Sequence, residues 1–159
     1  MSITSEGGVD GSVQGAYWYE GQSWKRYELA PARSASVFGS ITAVSRIPDS
    51  MEVWWIGLDA SAQGAYWYEG QPWKRYELAP ATSASVDGSI ITAVARVPNS
   101  MEVWWVGIQA SVQGAYWYEG QPWKRYKLAP TGSASISGGI TAVSRIPDSM
   151  ECQRSAALR

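Results

Sequence analysis

Pairs of oppositely charged residues recur on the two sides of one predicted turn. Such a pair could either bind a ligand or stabilise the fold. The pairs are Arg46 with Glu52, Arg96 with Glu102, and Arg145 with Glu151. Antiparallel strands on the two sides of this turn would place each Arg opposite its Glu on one face. The pair is then either a cross-strand ion pair, worth about 0.2–1 kcal/mol, or a set of hydrogen-bonding groups for a ligand.

Tryptophan and tyrosine are the second set of candidates. The chain holds ten Trp and nine Tyr but a single Phe, and Trp and Tyr suit places where one edge of the ring meets polar groups. Trp54 and Trp55 are adjacent in a predicted strand and therefore face opposite sides of it. Trp54 shares the face of Glu52, which makes Trp54 and its equivalent Trp104 candidates for ligand contact.

Catalytic chemistry has little support in this sequence. The chain has no histidine, its serines therefore lack the usual general base, and Cys152 is its single cysteine. The acidic residues recur once per repeat, which spreads them around the molecule instead of bringing two together. Phosphate-binding glycine loops, dinucleotide motifs and metal-ligand clusters are not found. We predict a protein that is not an enzyme and needs no cofactor.

Charge and hydropathy restrict the kinds of partner that the chain is expected to bind. The formal net charge of −1 gives no electrostatic attraction to nucleic acid. No segment is apolar over the length that a membrane span needs, so we expect no membrane insertion. The N-terminal residues lack the pattern of a signal peptide, which leaves the localisation undetermined.

The elements that must position these residues come from an internal repeat. The motif GAYWYEG occurs at 15–21, 64–70 and 114–120, with a period of about fifty residues. Within one unit the sequence predicts four strands, at 41–46, 52–57, 63–68 and 73–78, joined by turns rich in Gly, Pro, Asp and Ser. The first strand has small side chains and is expected to lie innermost. We predict an all-β fold, a β-propeller of four-stranded blades, with a β-sandwich or β-prism as the alternatives.

The places where the repeat begins and ends predict an assembly. Residues 41–79 and 90–128 are complete blades, whereas 14–29 and 140–151 are half blades, the latter followed by an irregular tail that is either a scar or an adapted closing strand. Three blades cannot close a ring, so we expect a homodimer that forms a six-bladed ring with two hybrid blades. Residues 2–6 or the tail would supply the missing second strand. The alternative is a fragment of a longer repeat array.

A short motif in each unit resembles a known family. The stretch Y-E-G-Q-[SP]-W, at 19–24, 68–73 and 118–123, is similar to the W-D-G-x-x-W hairpin of the fucose-binding β-propeller lectins of fungi and bacteria, the Aleuria type. That group includes short chains that assemble into six-bladed rings with sugars bound between blades. The resemblance implies a sugar-stacking role for Trp24, Trp73 and Trp123, and a second aromatic contact from Tyr19, Tyr68 and Tyr118.

The resemblance is incomplete at the residues that hold fucose in that family. An Arg on one strand and a Glu on the next do so, and the corresponding stretches here read E-V-W-W and Q-G-A-Y. The sequence therefore predicts a multivalent carbohydrate-binding protein, a lectin, and leaves its sugar open. The alternative is a non-catalytic structural or protein-interaction propeller, which includes an engineered or fragmentary repeat protein, whose aromatic rings only pack between blades.

Overall fold

The computed structural model describes residues 2–7, 10–85, 87, 90–147 and 149–155. The strands that it contains are β1 (Ser2–Gly7), β2 (Val13–Trp18), β3 (Lys25–Ala30), β4 (Ile41–Val44), β5 (Ser50–Ile56), β6 (Ala62–Tyr68), β7 (Lys74–Ala79), β8 (Ile91–Val94), β9 (Ser100–Val106), β10 (Val112–Tyr118), β11 (Lys124–Ala129), β12 (Ile140–Val143) and β13 (Glu151–Arg154). A short 3₁₀ turn spans Ile108–Ala110. The described part of the chain is therefore all-β, as predicted.

Antiparallel pairing joins these strands into four sheets. Two sheets have four strands in chain order, β4 to β7 and β8 to β11, which confirms the predicted four-stranded unit. The others are the three-stranded sheet β1–β2–β3 and the two-stranded sheet β12–β13. Turn chemistry fixes the outer hairpin, because Gly70 has a φ of +76° that favours glycine. Its turn is closed by a hydrogen bond from the Gln71 N–H to the Tyr68 carbonyl.

The innermost strands meet one another, and the sheets radiate from them. Strand β8 contacts β4 on one side and β12 on the other, and each of these strands reads Ile-Thr-Ala-Val. Small side chains allow strands to crowd together at a centre, whereas the aromatic-rich strands lie further out. The predicted order of strands from centre to rim agrees with this arrangement.

Alternation along the second strand builds the core between neighbouring sheets. Trp55 packs toward sheet β1–β3 with Val13, Leu29 and Val53. Trp54 faces the other way, toward sheet β8–β11, and packs with Met101. Both indoles are buried. The opposite orientation of the two adjacent tryptophans is therefore as predicted, and each four-stranded sheet is apolar on both faces because a neighbouring sheet covers each face.

The first strand is shorter than predicted. It ends at Val44, which pairs with Glu52, so Arg46 lies beyond the strand in a turn. The residue before a proline is restricted and Pro48 has no N–H to donate, which ends the ladder early. Side-chain bonds hold the turn instead, since the Ser45 and Ser50 hydroxyls both donate to the Ile47 carbonyl.

At each end of the chain, one strand occupies the position of the second strand of a unit. Strand β1 pairs with β2 as β5 pairs with β6, which adds a second strand to the N-terminal half blade. Strand β13 pairs with β12 in the register of β5 with β4, so part of the expected irregular tail is regular. Arg154 takes the place of Trp55 there, and its Nε donates to the Ser133 carbonyl as the Trp55 Nε1 does to that of Ser34. The two end sheets together hold five strands, one more than a blade.

Candidate functional site

Most of the predicted site residues lie between neighbouring sheets. We call the interface between sheets β1–β3 and β4–β7 the first interface, and the one between sheets β4–β7 and β8–β11 the second interface. On the side where the outer hairpins turn, each interface forms an aromatic cleft. The preceding sheet gives tyrosines to this cleft, and the following sheet gives tryptophans.

Arg46 fills the aromatic cleft of the second interface. Its guanidinium carbon lies 4.9 Å from the centroid of the Trp117 ring and 5.6 Å from that of Tyr68, which are cation–π distances. One guanidinium nitrogen donates to the Pro98 carbonyl at 2.6 Å and another to the Tyr68 hydroxyl at 2.7 Å. Two sheets thus hold one arginine, which ties them together and occupies the space between the rings.

Glu52 lies beneath Arg46 and is almost completely buried, at 1% exposed. Its Oε1 is 3.4 Å from the Arg46 Nε, within ion-pair distance but without hydrogen-bond geometry. Burial disfavours the charged carboxylate and raises the pKa of Glu52 to about 7, although the Arg46 charge opposes this effect. The predicted Arg–Glu pair therefore exists here, in a dry environment.

A tyrosine packs over a glycine beside this pair. The Tyr76 ring covers Gly64, where a Cβ would meet the ring at 2.5 Å. The Tyr76 hydroxyl accepts a hydrogen bond from the Trp54 Nε1 at 2.8 Å, and its ring stacks on Trp123 at 6.4 Å between centroids. Trp123 also meets the Trp54 ring edge-on at 5.9 Å. The sequence motif did not indicate Tyr76, which occupies the face of the sheet that carries Trp54.

The first interface leaves its aromatic cleft open. Among the described residues that line this cleft there is no arginine, and a cavity of about 410 Å³ lies between the sheets. Trp73 stacks on Tyr27 at 5.9 Å between centroids, as Trp123 does on Tyr76. Burial raises the pKa of Tyr27 to about 12, so its hydroxyl stays a hydrogen-bond donor at neutral pH. The cavity is lined by Tyr17, Tyr19, Tyr27, Glu28, Met51, Trp67 and Trp73.

The second copy of the charged pairs, Arg96 and Glu102, faces the C-terminal sheet. Arg96 donates to the Pro147 carbonyl and to the Tyr118 hydroxyl. Glu102 accepts a hydrogen bond from Tyr126, whose hydroxyl also accepts one from the Trp104 Nε1. Burial raises the pKa of Glu102.

The remaining predicted residues lie near the ends of the chain. The Arg145 Nε donates to the Glu151 Oε1 at 2.6 Å, and the two side chains are 67% and 42% exposed. Trp24 is 50% exposed on the outer hairpin of sheet β1–β3. The structure therefore brings most of the predicted residues together at interfaces but leaves these three at the surface.

Sequence reasoning missed a second kind of cavity, which lies on the opposite side of the sheets and recurs at both interfaces. We call these cavities the first and second rim pockets, and their volumes are about 750 and 440 Å³. Each lies between the linker of the preceding unit and the strands of the following one. The first is lined by Arg33, Asp59, Ser61, Gln63, Arg75 and Glu77. The second is lined at the equivalent positions by Thr82, Gln109, Ser111, Gln113, Arg125 and Lys127.

A chain of hydrogen bonds orders the polar side chains of the first rim pocket. The Gln63 Nε2 donates to the Ser61 hydroxyl at 2.7 Å, and that hydroxyl donates to the Asp59 Oδ1 at 2.5 Å. The hydrogen bonds that Asp59 accepts from the Ser61 hydroxyl and the Ser61 N–H lower the pKa of Asp59. In the second rim pocket the Gln113 Nε2 donates to the Ser111 hydroxyl at 2.9 Å. The indole of Trp55 or Trp105 forms the inner wall. The recurrence of Ser-x-Gln before GAYWY was the available signal.

Within the described ranges, no three His, Cys, Asp or Glu side chains come close enough to hold a metal ion. Among the same residues, no helix has the length and apolar character to cross a membrane.

Comparison with known proteins addresses the fold. No protein-family model and no curated protein sequence matches the chain. Among solved structures, the lectin BP39L from Burkholderia pseudomallei is 16% identical, with a TM-score of 0.80, and the match covers 90% of this chain and 42% of that one. The SapL1 lectin, solved with α-methyl fucoside, is 20% identical, with a TM-score of 0.63 and coverage of 86% and 45%.

A third solved structure adds the type of fold. The lectin of Aleuria aurantia, described as a six-bladed β-propeller with a novel fucose recognition mode, is 15% identical, with a TM-score of 0.65 and coverage of 88% and 45%. The chain thus spans less than half the length of these structures. The likeness shows a β-propeller fold of the Aleuria lectin type, which confirms the predicted resemblance.

Proposed function

We propose that this protein is a non-catalytic lectin that binds carbohydrate at several equivalent places. The observation that carries this proposal is the recurrence of the rim pocket at two successive interfaces, with the same Ser, Gln, Arg and Trp at the same positions. Equivalent sites on one rigid body gain affinity for a ligand that presents many copies of one group. Glycans are such ligands, and the structures that share this fold are lectins.

The chemistry of the rim pockets suits a sugar. Gln63 and Arg75 present hydrogen-bond donors, and Glu77 presents acceptors, at the mouth of the first rim pocket. The buried Trp55 indole closes the inner end of the pocket and fixes its depth. Because Ser61 orients Gln63, the amide is ordered before a ligand arrives, which lowers the entropic cost of binding.

Replacing Gln63 and Gln113 should remove binding at the rim pockets, one pocket at a time. We expect Gln63→Ala and Gln113→Ala each to halve the number of occupied rim pockets, and the double variant to lose rim-pocket binding, since each substitution removes the ordered amide. Glycan-array screening identifies the sugar, and isothermal titration then gives the number of sites. The melting temperature should stay within a few degrees, because both side chains line open cavities. Unchanged binding by the folded double variant would contradict the rim-pocket assignment.

The open aromatic cleft of the first interface is the second place where we propose sugar binding. Trp73 and Tyr19 line it, and both were predicted as ligand contacts. We expect Trp73→Ala to weaken binding there at least tenfold while the chain stays folded, since stacking on the indole is lost. Trp123→Ala is the matched control: its ring packs on Trp54 and Tyr76, so it should lower stability. Loss of stability without loss of affinity in Trp73→Ala would assign that ring to packing.

We further propose that two chains assemble into a six-bladed ring. The unit repeats, the exposed edges of the end sheets and the likeness to propeller lectins support this assembly. The two end sheets contain five strands, so a hybrid blade requires either β1 or β13 to leave its sheet. Light scattering should give a mass of about twice the 17.4 kDa of one chain. A stable, folded monomer at micromolar concentration would contradict the ring.

One observation favours the alternative of a structural or protein-interaction propeller. Arg46 already fills the aromatic cleft of the second interface, which makes that cleft a packing element. Absence of binding to any glycan by folded protein would favour this alternative.

A further inference from the structure

The two rim pockets differ in charge although the units that form them are nearly identical. In the first, two arginines face two carboxylates, so the charges balance. In the second, two cationic side chains are present, and among its described lining residues none is acidic. The differences are Asp59 against Gln109, Glu77 against Lys127, and Arg33 against Thr82.

The acidic pair is either kept or replaced as a whole. Sheet β1–β3 carries Asp10 and Glu28 at the positions of Asp59 and Glu77, as the first full unit does. The second full unit has lost both, one to an amide and the other to a lysine. Both changed positions line the same cavity, while the Ser, Gln, Arg and Trp around them are retained. The two pockets therefore share the same Ser, Gln, Arg and Trp side chains, and they differ in charge and in volume.

We propose that the second rim pocket binds an acidic saccharide, one that carries a carboxylate or a sulfate, whereas the first binds a neutral one. Arg125 and Lys127 lie on strand β11 two residues apart, so their side chains leave the same face of the strand and reach one anionic group. Gln113, held by Ser111, takes a neighbouring hydroxyl. This inference rests on the proposed lectin function and specifies the class of ligand for one of its sites.

Two pairs of oligosaccharides test it. A hyaluronan tetrasaccharide carries carboxylates, and its carboxyl-reduced form is the neutral match. A chondroitin sulfate tetrasaccharide with its carboxyls reduced tests sulfate alone against its desulfated form. We expect the full chain to bind at least one acidic form about tenfold more tightly than its neutral match, since hydrogen bonds to a charged group are the stronger ones. The preference should fall as salt rises.

Exchanging the charges between pockets supplies the controls. Gln109→Asp with Lys127→Glu gives the second pocket the acids of the first and should remove the acidic preference. Asp59→Gln with Glu77→Lys makes the reciprocal change and should raise the number of acid-preferring sites from one to two per chain. Both double variants should fold, because each substitution already exists in the other unit.

The outcomes separate the inference from the proposed function. Equal affinity for acidic and neutral forms, or a preference unmoved by either exchange, would overturn the inference and leave a lectin. Failure of the parent chain to bind any of the four oligosaccharides, together with a blank glycan array, would overturn the lectin function itself. If inorganic sulfate displaces the acidic oligosaccharide equally from both exchange variants, the binding is unspecific. That result would also overturn the inference.

Discussion

Between pH 4.5 and pH 8, the titration of Glu52 should lower the free energy of unfolding of the parent chain by roughly 3 kcal/mol. Glu52→Gln should remove this decrease. The pKa of Glu52 rises from its ordinary 4.5 to about 7 because burial disfavours the carboxylate more than Arg46 favours it. Between these values the folded chain binds more protons than the unfolded chain, so the free energy of unfolding falls as pH rises. The contribution is complete below pH 4.5 and lost above about pH 7. The pKa difference sets its size.

Urea denaturation at a series of pH values measures this effect. Glu69→Gln, at an exposed turn, is the control for replacing a carboxyl by an amide. Glu102→Gln should change the pH dependence in the same direction, since burial also raises the pKa of Glu102. If the parent and Glu52→Gln curves run parallel from pH 4.5 to pH 8, Glu52 is ionised throughout and Arg46 compensates its burial.

Trp54→Ala should be the most destabilising single substitution in the described part of the molecule, at about 3–5 kcal/mol. The Trp54 side chain is fully buried, so its removal leaves a cavity between two sheets. It also removes the donor to the Tyr76 hydroxyl and the ring that Trp123 meets edge-on. A typical domain has only about 5–15 kcal/mol in total, so the variant should be close to unfolding at 37 °C.

Two matched variants test how much of this destabilisation depends on the indole N–H and on burial of the ring. Trp54→Phe keeps an aromatic ring and loses the N–H, so it should cost roughly half as much. Trp24→Ala removes a half-exposed indole from the outer hairpin and should change stability by no more than about 0.5 kcal/mol. If Trp54→Ala lowers the free energy of unfolding by less than about 1 kcal/mol, the two sheets close over the cavity. Trp54 would then again be a candidate for ligand contact.

The sequence predicted the fold because its repeat carries redundant signals. Small residues in Ile-Thr-Ala-Val indicated the inner strand, and the adjacent Trp54 and Trp55 indicated a sheet covered on both faces. The position of Arg46 was harder to predict, because β4 ends two residues earlier than predicted and this residue therefore lies outside the ladder. Its place between Tyr68 and Trp117 joins residues about seventy positions apart in neighbouring units, and strand alternation within one unit does not reveal such contacts.

The candidate site shows where local patterns stop being informative. Gly64 and Tyr76 read separately as a strand glycine and a strand tyrosine, yet the ring fits only because the glycine has no side chain. The rim pockets likewise need the linker of one unit and the strands of the next, so no single unit contains one. Gln63 and Arg75 lie on different strands, and neither strand alone indicates a pocket. Only the packing of one sheet beside another makes them a cavity.

The surplus strand at the chain ends has an energetic consequence for the proposed six-bladed ring. When two copies join, the backbone groups of the departing strand lose their partners as the incoming strand gains them, so main-chain pairing contributes almost nothing to association. What drives the exchange must be side-chain burial, and what slows it is the detachment step. Such an assembly equilibrates sluggishly, and freshly diluted samples should keep their stoichiometry long after the concentration has changed.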